Sequence, residues 1–157
     1  MADVFSQLYI QVVFAVKNRQ ALIAPEWEEE LNKYITGIVE HRGHKMLAIG
    51  GMPDHIHIFL GLKPAESISS LVAEIKKSSN TFIKERRFSS FHFEWQAGYG
   101  AFSYSRSHVD AVCKYILNQK EHHSRRTFEE EFFKMLSDFD IDIGNKKMFD
   151  FFIPDEE

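Results

Sequence analysis

Apolar positions along the chain change period several times, and each change marks an element. "QLYIQVVFAV" (Gln7–Val16) is dense in β-branched and aromatic residues, which predicts a strand. Pro25 opens a helix in which Trp27, Leu31, Tyr34, Ile35 and Ile38 recur at helical spacing; acids fill its first turn and Gly43 ends it. "KMLAIGG" and "HIHIFLGL" read as two further strands, joined by the turn-forming "GGMPDH". Ser67 then caps a long helix with the stripe Ile68, Leu71, Val72, Ile75, Phe82 and Ile83. "SSFHFEWQAGYGAFSYS" predicts a loop leading into a fourth strand over 99–105. Ser107 caps the next helix, "SHVDAVCKYILNQKEHH", and "TFEEEFFKMLSDF" predicts one more. The closing "IDIGNKKMFDFFIPDEE" shows no period and reads as an irregular segment laid across the body.

The order β-α-β-β-α-β, then helices, predicts an α+β fold of the split βαβ kind, ferredoxin-like or RRM-like. Four antiparallel strands carry two helices on one face. The other face is left to solvent, to later segments or to a partner. A length of 157 residues with 44% hydrophobic content suits one domain with a real core.

Within that frame "DHIHIFL" stands out, because it places two histidines in an apolar strand. Alternation puts Ile56, Ile58 and Leu60 on the helix-covered face and His55, His57 and Phe59 on the uncovered one. Two imidazoles separated by two strand rises, about 7 Å, can share a divalent ion but cannot complete its coordination. Taken alone, such a pair is more often satisfied by ordinary hydrogen bonds. A second group lies in "CKYILNQKEHH". Tyr115 and Gln119 are one helical turn apart, with His122 continuing that polar edge, beside an apolar seam of Val109, Val112, Cys113 and Ile116. Asp54 reads as a turn residue that could also orient an imidazole.

Charge changes the picture further. The net charge is −4, but residues 1–62 carry −2, residues 63–126 carry +5 and residues 127–157 carry −7. A basic middle suggests a polyanion surface. Its cations are Lys76, Lys77, Lys84, Arg86 and Arg87, and, around the tyrosine helix, Arg106, Lys114, Lys120, Arg125 and Arg126. Tyr99, Phe102 and Tyr104 could offer faces for stacked bases. A single cysteine, Cys113, excludes an internal disulfide and a cysteine-rich zinc site. No segment has the length and apolarity of a membrane span, and "MADVFSQLY" has no leader pattern, so a cytoplasmic protein is expected.

His-hydrophobic-His on a strand, followed further along by "YILNQ", resembles the single-tyrosine HUH transposases of small insertion sequences. This insertion-sequence-200-like group includes the REP-associated tyrosine transposases. "VVFAVKNRQALI" is similar to the family's opening strand and turn, "WQAGYGAFSYS" to the segment before its tyrosine helix, and "YILNQKEHH" with "FEEEF" to its close. The resemblance covers residues 6–135. It implies a catalytic domain over residues 1–139 with an acidic tail at 140–157. It also implies DNA transposition by cleavage and rejoining of single-stranded or hairpin DNA. The nucleophile would be Tyr115, forming a 5′-phosphotyrosine, and His55, His57 and Gln119 would bind Mg²⁺ or Mn²⁺. The resemblance further implies a homodimer that can dock each tyrosine on the partner's histidines. Two rivals remain at this point: a non-catalytic nucleic-acid binder of RRM-like fold, and a metallohydrolase that uses water and tolerates loss of Tyr115.

Overall fold

A computed structural model describes residues 3–122 and 127–141. Four strands form one antiparallel sheet in the order β2-β3-β1-β4: β1 (Tyr9–Ala15), β2 (Lys45–Met52), β3 (His55–Gly61) and β4 (Gly100–Tyr104). The two central strands, β1 and β3, pair along their whole length, with Val13 opposite His57 and Ala15 opposite His55. This is the split βαβ arrangement expected from the element order.

The helices divide between the faces. α1 (Pro25–His41) and α2 (Ile68–Glu85) cover one face, packing Trp27, Leu31, Ile35, Leu71 and Ile75 against Val12, Phe14, Ile56, Ile58 and Leu60. α2 begins as the sequence predicts, with the Ser67 side chain accepting from the Ser70 amide. A hydroxyl at this position satisfies an amide that the first helical turn leaves unpaired.

The second face is not open. Three short helices of the same chain cover it: α3 (Val109–Leu117), α4 (Gln119–His122) and α5 (Phe128–Asp138). Val112 and Ile116 of α3 pack on Ala48 and Phe59, while Phe128, Phe132, Met135 and Leu136 of α5 pack on Val13, Ala15 and Phe102. Of the three covers left open for the histidine face, later segments of the same chain supply it. A sheet with apolar residues on both faces needs cover on both, and α5 is amphipathic enough to supply it.

Two boundaries also differ from expectation. Ser107 does not cap the tyrosine helix. Its hydroxyl bonds the Ser105 hydroxyl at 2.8 Å, and a 3-10 turn over Arg106–His108 precedes α3. The helix also breaks at Asn118 (φ −102°, ψ 23°), so Tyr115 and Gln119 sit on opposite sides of a kink. Close approach of α3 to the sheet depends on Gly50 of β2. A Cβ added there would lie 2.7 Å from the Ile116 carbonyl oxygen. No helix among the described residues is long and apolar enough to cross a membrane.

Candidate active site

Strand alternation delivers His55 and His57 to the α3/α5 side, as expected, but both are fully buried. Their rings are 5.1 Å apart. Each is oriented through Nδ1. His55 Nδ1 donates to Asp54 Oδ1 at 2.8 Å, so the turn residue does orient an imidazole. His57 Nδ1 donates to Gln11 Oε1 at 2.7 Å, and Gln11 Nε2 donates to the Tyr104 hydroxyl at 2.8 Å. With both Nδ1 atoms tied to side-chain acceptors, both Nε2 atoms turn inward toward the Glu131 carboxylate, and each would have to give up its proton there to bind a metal.

α3 brings the phenol. The Tyr115 ring stands edge-on to His57 with centroids 5.9 Å apart, within one chain. Past the kink, Gln119 folds back so that its Nε2 donates to the Tyr115 carbonyl at 3.3 Å. That leaves Gln119 Oε1 facing His55 Nε2 at 3.4 Å. The four residues singled out from sequence thus converge.

The structure adds a fifth, Glu131 of α5, which sequence reading did not single out. It is 2% exposed. Its Oε1 lies 2.8 Å from His57 Nε2 and 3.5 Å from His55 Nε2, and its Oε2 accepts a hydrogen bond from the Tyr115 hydroxyl. A signal for it was present. Glu131 lies three residues after Phe128 and four before Met135, inside the apolar stripe, whereas Glu129 and Glu130 fall on the exposed side. Phe128 closes the site by stacking on His55 at 4.1 Å.

The electrostatics follow from this enclosure. Burial works against a charged His55, yet hydrogen bonds to Asp54 and Glu131 carry its pKa above the ordinary value. Burial likewise opposes an ionised Asp54, but the His55 bond and the nearby Arg19 hold its pKa below the usual carboxylate range. Tyr104, in contrast, is pushed up to about 12 by burial, so it remains a neutral phenol. Access to Tyr115 runs through a cleft of about 610 Å³ between β4, α3 and α5, walled by Tyr104, His108, Val112, Lys134 and Phe139. A larger groove of about 760 Å³ around residues 4–9 and 61–65 contains none of these groups.

The predicted basic residues are dispersed. Lys76, Lys77, Lys84, Arg86 and Arg87 belong to α2 and its C-terminal end, the layer across the sheet from the histidines. Lys76 is held in place, its Nζ donating to the carbonyls of Gln96 (2.8 Å) and Gly98 (2.7 Å), and burial lowers its pKa to about 8. Arg86 pairs with Glu30 at 2.7 Å. Arg106, by contrast, lies in the exposed turn leading into α3. Arg125, Arg126 and most of the acidic tail fall outside the described residues. Of the aromatics considered for stacking, Phe102 is core and Tyr104 is committed to Gln11.

The chain is similar to known proteins in sequence and in fold. Residues 4–119 match the profile of the family described as "Transposase IS200 like". Over 73 residues the chain is 27% identical to the ISDra2 transposase TnpA of Deinococcus radiodurans; the match spans 46% of this chain and about half, 52%, of that protein. Two solved structures share the fold. One, assigned to the transposases of Deinococcus radiodurans R1, superposes with a TM-score of 0.60 at 22% identity, covering 76% of this chain and 95% of that one. The other, a REP-associated tyrosine transposase bound to a REP hairpin, superposes with a TM-score of 0.60 at 16% identity, covering 98% and 99%.

Proposed function

This chain belongs to the insertion-sequence-200-like transposase family, and from that premise we propose that it cleaves and rejoins single-stranded DNA through a covalent bond to Tyr115. The observation that carries the proposal is the convergence, within one chain, of the Tyr115 phenol with His55, His57 and Gln119. His55 Nε2, His57 Nε2 and Gln119 Oε1 all turn into the buried site, and with both imidazole nitrogens free of protons this donor set would suit a divalent cation. Two neutral imidazoles and an amide would hold Mg²⁺ or Mn²⁺ without neutralising it. A cation held there supplies Lewis acidity to a phosphate oxygen of the substrate.

The chain's own residues account for the rest. The Tyr115 oxygen forms a bond to the scissile phosphorus as the bond from phosphorus to the 3′-oxygen breaks. The phenol gives up its proton and the departing 3′-oxygen ends as a hydroxyl. A free phenol titrates near 10, so the nucleophile needs help to shed its proton at neutral pH. Attack of a 3′-hydroxyl on the phosphotyrosine restores the phosphodiester and frees Tyr115. No nucleotide cofactor is required, because the phosphodiester bond energy is kept in the intermediate.

The partner would be single-stranded or hairpin DNA, reached through the cleft at Tyr115, with Arg106 at its approach and Arg125 and Arg126 in the segment after α4. An RRM-like binding mode is disfavoured, since Phe59 and Phe102 on the relevant sheet face are buried under α3 and α5. The test is incubation with single-stranded flanking DNA and Mg²⁺, followed by a denaturing gel and mass analysis for DNA-linked protein. Tyr115→Phe is expected to abolish the adduct while DNA binding survives; an undiminished adduct would refute the assignment. His57→Ala is expected to lose both Mn²⁺ binding and cleavage.

A further inference from the structure

We propose that Glu131 completes the site, one carboxylate oxygen joining the histidines around the cation and the other holding the Tyr115 hydroxyl at a set distance from it. This rests on the reading above and extends the working site into α5, beyond the segment that matches the family profile.

Three observations carry it. First, Glu131 Oε1 lies 2.8 Å from His57 Nε2 and 3.5 Å from His55 Nε2, so the carboxylate faces both inward-turned imidazole nitrogens, and a cation would take the place of the proton it now shares with them. The three ligand atoms of His55, His57 and Glu131 all lie within 4.8 Å of one another, and all three residues are buried. Second, the other oxygen of the same carboxylate accepts the Tyr115 hydroxyl hydrogen bond. One rigid, planar group therefore spans the cation position and the nucleophile, and its geometry sets their separation. Third, a buried carboxylate is costly unless compensated by charge and hydrogen bonds. Here it occupies a stripe position where an apolar residue would serve packing better. Its neighbours in that stripe, Phe128, Phe132 and Met135, do the packing that anchors α5.

Glu131 thus acts as a ligand and as a positioning residue for the phenol. Hard divalent cations favour carboxylate oxygen, and a charged fourth ligand tightens a set that otherwise consists of neutral donors.

The test uses the full chain without DNA. Mn²⁺ is titrated calorimetrically into wild type, Glu131→Gln and, as a control, His57→Ala, with a thermal melt of each. In parallel, 3-fluorotyrosine is incorporated and the Tyr115 fluorine resonance is assigned by its loss in Tyr115→Phe. Glu131→Gln preserves shape and removes charge. It is expected to weaken Mn²⁺ binding by about 10- to 100-fold, the range for perturbing a metal site's supporting groups. It is also expected to move the Tyr115 resonance while those of the other tyrosines stay put. Wild-type affinity would overturn the proposal, and so would an unmoved Tyr115 resonance. So would tighter binding, which would make Glu131 a competitor occupying the cation's place. Loss of binding in His57→Ala but not in Glu131→Gln sinks this inference alone, whereas a wild-type chain that binds no Mn²⁺ sinks the underlying reading as well. Should Glu131→Gln not melt cooperatively, Glu131→Asp carries the test. It keeps the charge but withdraws it by one methylene, so lowered affinity with a displaced Tyr115 resonance is expected, and neither change would refute the role.

Discussion

At the scale of single residues, the site is held by partners that do no chemistry. Gln11 on β1 ties the His57 ring to the Tyr104 hydroxyl, joining three strands through one amide. Gln11→Leu would leave a buried imidazole N–H and a half-buried phenol without that amide. A loss of about 1–3 kcal/mol in stability follows from the cost of an unsatisfied buried group. Urea unfolding measures the loss, and Mn²⁺ affinity should fall with it as the ring loses its orientation.

Glu66 offers a pH-dependent counterpart far from the site. Its carboxylate bonds Arg42 and His44, and the Arg42 bond leads in lowering its pKa from 4.5 to about 2. A depressed carboxylate pKa stabilises the fold above the unfolded value and loses that contribution as pH falls through the folded one. The stability gap between wild type and Glu66→Gln should therefore be full at pH 7 and close between about 4.5 and about 2. A gap that persists at the acid end would show that the bond does not act through charge.

At the scale of elements, α3 and α5 are set by contacts that leave little room. Gly50 lets α3 approach β2, and a methyl group there meets the Ile116 carbonyl oxygen at 2.7 Å. Gly50→Ala is expected to push α3 outward, carrying Tyr115 away from His57. Adduct formation should fall by about 10-fold or more, since displacements of the order of an ångström in a nucleophile cost at least that much. DNA binding should change little. α5 depends on its N-cap, where the Thr127 hydroxyl oxygen accepts from the Glu130 amide. Thr127→Ala should cost about 1 kcal/mol in thermal or urea unfolding. Because α5 carries Glu131 and Phe128, the same substitution should loosen Mn²⁺ binding, an effect absent from a matching Ser67→Ala at the start of α2.

At the scale of the whole molecule, one chain brings together every residue of the candidate site: β3, α3, α4 and α5 each contribute. An arrangement in which tyrosines serve the partner's histidines is not needed to assemble it. Mixing Tyr115→Phe with His57→Ala checks the point. A site built within one chain predicts no recovery of adduct formation, while recovery toward about a quarter of wild-type activity, the share of intact sites in randomly mixed dimers, would mean that tyrosines are exchanged between chains. The basic residues of α2 lie on the layer opposite the tyrosine, so DNA touching both would have to wrap around the sheet edge.

Much of this architecture was legible in the residues alone. Periodicity placed the four strands and the long helices to within a few positions, because apolar spacing directly reflects which face is buried. "HIH" on a strand and "YILNQ" further along, through the family resemblance they carry, pointed to four candidate residues that the fold brings together. Tertiary structure alone decided the rest. The kink at Asn118, the covering of the histidine face by α5 and the engagement of Lys76 with backbone carbonyls all depend on contacts between segments distant in sequence. Glu131 lies between these cases. Its place in an apolar stripe was visible, but its meaning depended on what that stripe packs against, and a helix's period records that a face is buried without recording which groups it meets.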